Sequence, residues 1–189
     1  TIFVGENDKA YFKLDPLNRI RTVSKTFRPP TNQEYVENRL RSKPKTLSNF
    51  KRVDKVNEIR IVALDIALMG GNKLVKNDTS AFTLMRLLRE GDEYKRQVVY
   101  LESIQSSISS ENLAIRLKQL YYDFEADYVV MDANGNGLGV FDACTTVLTD
   151  KDRDKEYPAW ACINDDETND RTKTKGIKCV YTVKANAAF

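Results

Sequence analysis

Apolar residues fall along this chain in two rhythms. Residues 59–66 (IRIVALDI) form a β-branched apolar run that carries Asp65 near its end and breaks at Gly70-Gly71. Residues 80–88 (SAFTLMRLL) and 95–102 (KRQVVYLE) are two further runs, separated by a turn at Glu90-Gly91-Asp92. Short polar connections between such runs predict an antiparallel meander. The period then changes. Leu113, Leu117, Leu120, Tyr121 and Phe124 recur at the spacing of one helix face over 110–125. Ser109 or Ser110 is placed to cap that helix, and Glu111 suits its positive end. Residues 127–132 (DYVVMD) return to strand, and the continuous Tyr-Val-Val-Met is the pattern of a strand buried on both faces. Val140, Ala143, Cys144, Val147 and Leu148 restore the helical spacing, 149–176 reads as polar and irregular, and 177–184 (IKCVYTVK) alternates as a last strand.

The chain before residue 58 has a different texture. Residues 1–28 hold short β-prone pieces with turns at Gly5-Glu6-Asn7-Asp8 and Asp15-Pro16, and Pro29-Pro30 stops them. Thr31 and Glu34 form a T-x-x-E capping box that opens a short helix through Arg41. From Ser42 to Asn57 the chain is polar and basic and reads as a linker.

The element order from residue 58 is therefore β-β-β-α-β-α-(loop)-β, an α/β pattern. A right-handed crossover through the helix at 110–125 lays strand 127–132 parallel beside strand 59–66. Asp65 and Asp132 then both stand at the carboxyl ends of neighbouring strands, the edge where open α/β sheets bind ligands.

Charge adds a partner class. Residues 1–60 carry 14 Lys+Arg against 7 Asp+Glu, and the remainder 16 against 20. A basic lead-in on a mildly acidic module suits a polyanion, although a solvated linker with surplus lysines has the same composition. With 41% hydrophobic and 30% charged residues the composition is that of a globular protein. No apolar run approaches the ~20 residues of a membrane helix, and a cytosolic location is expected. Thr1 in place of Met and the Ala-Ala-Phe ending lead us to expect a fragment of a longer protein.

The chain contains no histidine, and its three cysteines (Cys144, Cys162, Cys179) form no CxxC pair. Zinc ligation of the common kinds and histidine-based general-base chemistry are thereby excluded. Hydrolysis would have to run on carboxylates, lysines or bound metal.

The stretch 132-DANGNGLGV-140 admits three readings. Asp132-x-Asn134-x-Asn136-Gly137 opens like an EF-hand loop, but the twelfth position is Ala143 where a bidentate glutamate is needed, and a strand precedes it. Gly135, Gly137 and Gly139 resemble a phosphate loop but lack both the Walker and the dinucleotide spacing. The third reading is a carboxylate metal site. Two-metal nucleases hold hard divalent ions on aspartates from neighbouring strands, one ion activating water and the other stabilising the leaving oxygen. Mg²⁺ or Mn²⁺ takes oxygen ligands and keeps several waters, so few side chains suffice. Asp65 ends a run too apolar to leave a bare charge unexplained, and Asp132 repeats the argument. Both also serve as ordinary turn residues in the simpler alternative. In the loop 70-GGNKLVKNDTS-80, Asp78 is a further candidate ligand, and Lys73 and Lys76 are candidate DNA phosphate contacts. Glu102 ends the third strand without a face that the sequence decides.

Two motifs carry a resemblance. The segment 62-VALDIALMGGNKLVKNDTSAF-82, followed by 129-VVMDANGNGLGVFDA-143, resembles the nuclease domain of the large terminase subunit of tailed bacteriophages. It covers roughly residues 58–189, with both motifs in order and the expected elements between them. The resemblance implies a ribonuclease H-like fold, with a mixed sheet of three antiparallel strands and then parallel strands. It implies cleavage of concatemeric double-stranded DNA during packaging, with two Mg²⁺ or Mn²⁺ ions held by Asp65, Asp132 and Asp78. Partners implied are the portal protein and the small terminase subunit, in the host cytoplasm. Residues 1–57 resemble the chain leading out of that family's ATPase domain, whose Walker motifs are absent here. The family's third acidic ligand comes from a helix beyond the last strand; no acidic residue follows Asp170, so that ligand is expected beyond Phe189 and the domain is expected to be truncated. Other ribonuclease H-like nucleases, such as a resolvase or a transposase-like enzyme, and a catalytically incomplete DNA- or partner-binding module are the alternatives.

Overall fold

A computed structural model describes residues 14–66, 79–104, 108–173 and 175–183. The three apolar runs form β1 (Glu58–Asp65), β2 (Ser80–Glu90) and β3 (Glu93–Ile104). They pair as the expected antiparallel meander, with the β2–β3 turn passing through Gly91 at φ 66°. Helix α3 (Ser110–Phe124) is capped by Ser109 and ends at Glu125 in the left-handed region. β4 (Tyr128–Asp132) lies parallel to β1. Helix α4 (Asn136–Cys144) follows. Next come β5 (Leu148–Asp150), β6 (Lys155–Tyr157), β7 (Trp160–Cys162), α5 (Asp166–Thr172) and β8 (Ile177–Val183). The main sheet has the order β3-β2-β1-β4-β8-β7, antiparallel on one side and parallel on the other, with β5 and β6 forming a separate hairpin. The protein is thus α/β with a six-stranded mixed sheet and flanking helices.

Strand alternation gives the sheet one closed face. Val62, Leu64, Phe82, Leu84, Val129, Met131 and Val180 point into a single core. They meet Leu113, Leu117, Leu120 and Phe124 of α3 and Val140 and Phe141 of α4 there. Lys118 on α3 is also fully buried. Its Nζ donates to the carbonyls of Cys144, Thr146 and Pro158 and lies over the Trp160 ring, so three oxygens and a π face take the place of water. Burial pulls its pKa down to about 8.

Three readings of the pattern change. The segment 149–176 is not irregular, since β5 ends in it and β6, β7 and α5 lie within it; strands of three residues are too short to show a period. Helix α4 begins at Asn136 and not near Val140, because Gly137 and Gly139 hide its first turn from propensity, and it ends at Cys144, so Val147 lies beyond it and Leu148 opens β5. Within 1–28, the described part holds a helix, α1 (Leu14–Arg19), in place of a β-prone piece. Pro16 is tolerated in a first turn, where no intrahelical donor is required, and Asp15 and Arg19 complement the helix ends.

The lead-in is bound into the core. Helix α2 (Asn32–Arg39) opens with the Thr31/Glu34 capping box expected from sequence. Phe27 and Phe50, either side of it, are both 2% exposed and pack against Phe124 at ring distances of 5.0 and 6.0 Å. Two buried arginines fasten this segment. Arg60 pairs with Glu58 at 2.7 Å and donates to the carbonyls of Phe124 and Phe50. Arg153 pairs with Asp123 at 2.8 Å and donates to the carbonyl of Pro30 and to Asn32.

Glu58 and Arg60 are both fully buried, so neither charge has water to fall back on. Arg60→Met is expected to lower stability by about 3–5 kcal/mol, because Glu58 is left as an unpaired buried carboxylate. Urea denaturation checks this. The double variant Glu58→Gln/Arg60→Met should recover part of the loss, and a single variant no less stable than the parent would refute the account.

Candidate metal centre

The parallel register of β1 and β4 runs from Ile61 opposite Tyr128 to Leu64 opposite Met131. The next step of the same register sets Asp65 beside Asp132, on backbones about 4.8 Å apart. Val62 and Leu64, and Val129 and Met131, point into the core, so both aspartates point to the opposite side of the sheet. Asp65 is exposed and Asp132 half-buried. The two carboxylates that the sequence picked out therefore stand in one row, on one face, at the carboxyl ends of adjacent parallel strands.

The backbone here is fixed. Asp132 is paired with Val183 of β8, and the N–H of Ala133 donates to the Val183 carbonyl at 3.1 Å. Asn164 braces β8 from the side, donating to the Thr182 carbonyl and accepting from the Thr182 N–H, both at 2.9 Å. Nothing in the sequence singles out Asn164, which lies in a charged connection between β7 and α5. One Asp132 oxygen, Oδ1, accepts from the N–H of Asn134 at 2.9 Å. That bond is the turn role weighed for Asp132, and it holds the carboxylate while Oδ2 takes no part in it.

The glycines each have a geometric reason. Gly135 sits at φ 52°, the left-handed region, where it turns the chain from strand into helix. A Cβ at Gly137 would lie 1.9 Å from the Asp132 carbonyl oxygen, so only glycine lets α4 start against the end of β4. At Gly139 the nearest atom would be Ser110 Oγ at 3.2 Å, where α4 crosses α3. The layout agrees with the two grounds against a calcium loop: Asp132 ends a strand, and Ala143, the twelfth position, lies on α4. The glycines shape a strand-to-helix junction and match no phosphate-loop spacing.

Asp78, Lys73 and Lys76 lie outside the described residues. Glu102 is removed from the candidate ligands, because it sits on the other face of the sheet. Its carboxylate takes two bonds from Arg116, at 2.9 and 2.6 Å, and one from the Tyr100 hydroxyl at 2.7 Å. These donors hold its pKa below the usual range against the opposing effect of burial. Other acidic side chains on the same half of the molecule are engaged in structure: Asp142 pairs with Arg171 of α5, and Asp165 caps α5. Among the described residues no three carboxylates, cysteines or histidines converge, and the three cysteines are free and buried. Among the described residues no helix is long and apolar enough to cross a membrane.

Comparison with family models, curated proteins and solved structures returned no match.

Proposed function

We propose that this chain is the nuclease portion of a viral DNA-packaging terminase, a divalent-metal-dependent endonuclease of the ribonuclease H-like class. The observation that carries the reading is the placement of Asp65 and Asp132 side by side at the carboxyl edge of adjacent parallel strands. The strand order β3-β2-β1-β4-β8, three antiparallel strands and then parallel ones, supports the ribonuclease H-like assignment. The Asn-Gly-x-Gly that follows Asp132 favours terminase over a resolvase or a transposase-like enzyme.

The donor set fits a hard cation. Two carboxylates on one face supply oxygen ligands, and among the described residues the three cysteines are buried away from solvent. Mg²⁺ or Mn²⁺ accepts this chemistry and completes its shell with water. When bound, such ions polarise a phosphodiester oxygen and lower the pKa of water. The chain's own contribution is geometric. Asp65 presents an exposed carboxylate, and Asp132 is oriented by the Asn134 N–H. The rigid β1–β4–β8 ladder holds their spacing. Asp78 joins this set in the proposal, with Lys73 and Lys76 as phosphate contacts. Double-stranded DNA, the portal protein and the small terminase subunit are the proposed partners, in the host cytoplasm.

Electron paramagnetic resonance of Mn²⁺ tests the centre directly. Mn²⁺ is expected to bind this chain, and Asp65→Asn and Asp132→Asn are each expected to weaken binding at least about tenfold, close to 1.4 kcal/mol. Binding that neither substitution changes would sink the proposal and leave Asp132 as the turn residue its bond to Asn134 makes it.

A further inference from the structure

We propose that the face of the main sheet that no described helix covers is the contact surface of a homodimer, two copies packing face to face with their strands antiparallel. β1 is a central strand, flanked by β2 and β4, yet none of Ile59, Ile61 and Ala63 on this face is buried. Around them Leu101 is 68% and Val183 50% exposed. The sheet's other face is closed by α3 and α4, so the contrast lies between two sides of the same strands. Parallel strands are stable when both faces are covered. A contiguous open apolar face of this kind marks an interaction surface.

The charges on the face select a second copy and its orientation. One end carries Asp65 and Asp132. The other carries Arg89 and Arg96, both exposed; the register puts Arg96 in line with Leu87 and Ile59, with Arg89 one step further along the same face. The face is therefore a dipole with an apolar middle. A two-fold axis across the strands lays the basic end of each copy over the acidic end of the other. Arg89 then comes within one strand spacing of Asp65 of the second copy. A two-fold axis along the strands would instead bring four aspartates together. The first arrangement is self-complementary and closes, as an isologous dimer must. Five strands by about six residues give a footprint of about 24 by 20 Å. That is at the small end of specific interfaces, so the expected dimer is reversible, with Kd of about 1–10 μM. The inference does not rest on the nuclease reading, because it uses the aspartates only as charges, but a dimerised face and a metal- or DNA-bound face exclude one another.

Sedimentation velocity in EDTA, with the 189-residue chain at about 1 to 100 μM, tests it without metal. The expected result is a concentration-dependent shift from monomer to dimer. Leu101→Arg, at an exposed position that this arrangement sets opposite Arg96 of the second copy, should abolish the shift while far-ultraviolet circular dichroism stays unchanged. Arg89→Glu/Arg96→Glu should raise Kd at least about tenfold, 1.4 kcal/mol. A chain that stays monomeric throughout overturns the proposal, and so does a dimer indifferent to both variants, which must form elsewhere.

Discussion

A chain that begins at Glu58 is expected to fail to fold cooperatively, although sequence texture places the start of the α/β module there. Phe27 and Phe50 would leave the core, each worth about 2–3 kcal/mol of burial. The charges left behind add to that loss. Arg60 stays buried without the Phe50 carbonyl, and Arg153 loses the Pro30 carbonyl and Asn32. Asp127 loses Arg52, which holds it with two bonds at 3.0 and 2.7 Å. Each unmet buried donor costs about 1–3 kcal/mol. The sum reaches the whole stability of a typical domain, about 5–15 kcal/mol. Circular dichroism melting and amide proton dispersion of residues 58–189, against the full chain, check this. A sharp melting transition in the short chain would show that the lead-in is an accessory. Phe50→Ala in the full chain gives a graded version, with an expected loss of about 3–5 kcal/mol.

The sequence made the sheet, its two aspartates and the capping box of α2 legible and left the attachment of the lead-in to the core illegible, for one physical reason. Strands β1, β2, β3, β4 and β8 are long enough to show period or continuous apolarity, and α3 shows one apolar face over fifteen residues. Once those elements are placed, the crossover rule makes β1 and β4 neighbours, and the position of each aspartate in its strand does the rest. Phe27 and Phe50 belong to no such rhythm. Each is a single aromatic in a polar, basic stretch, and its partner Phe124 is far along the chain. The same holds for Arg60 in the middle of β1. An arginine in an apolar strand reads as an outward-facing residue until Glu58, Phe50 and Phe124 are seen around it. Asn164 is hidden likewise, because its role depends on β8 lying beside it. The open face could not be read either. The apolar Tyr-Val-Val-Met of β4 indicates burial on both sides, yet Tyr128 is 36% exposed.

Gly137→Ala is expected to be the most damaging single-methyl change near the candidate centre. The added Cβ would sit 1.9 Å from the Asp132 carbonyl oxygen and 2.8 Å from its carbonyl carbon. Both are backbone atoms of a strand held on its two sides by β1 and β8, so no rotamer change relieves the contact. Either α4 lifts away from the strand end or the end of β4 is pushed out of register. Both movements displace Asp132 relative to Asp65. Overpacking of this kind costs about 1–3 kcal/mol, and more when the backbone must give. Gly139→Ala is the matched control, two residues along the same helix. Its Cβ would meet only Ser110 Oγ at 3.2 Å, the end of a side chain that can turn. Alanine gains about 1 kcal/mol over glycine in helix propensity, so the control should be neutral or slightly stabilising. Urea midpoints of the two variants give the stability comparison. Mn²⁺ affinity measured under fully folded conditions gives the second readout, and Gly137→Ala should weaken binding while Gly139→Ala leaves it unchanged. If the two alanines behave alike, the glycines serve helix α4 in general and not the close approach of its first turn to Asp132. If Gly137→Ala loses stability but keeps full Mn²⁺ affinity, the metal is held away from the β1–β4 edge.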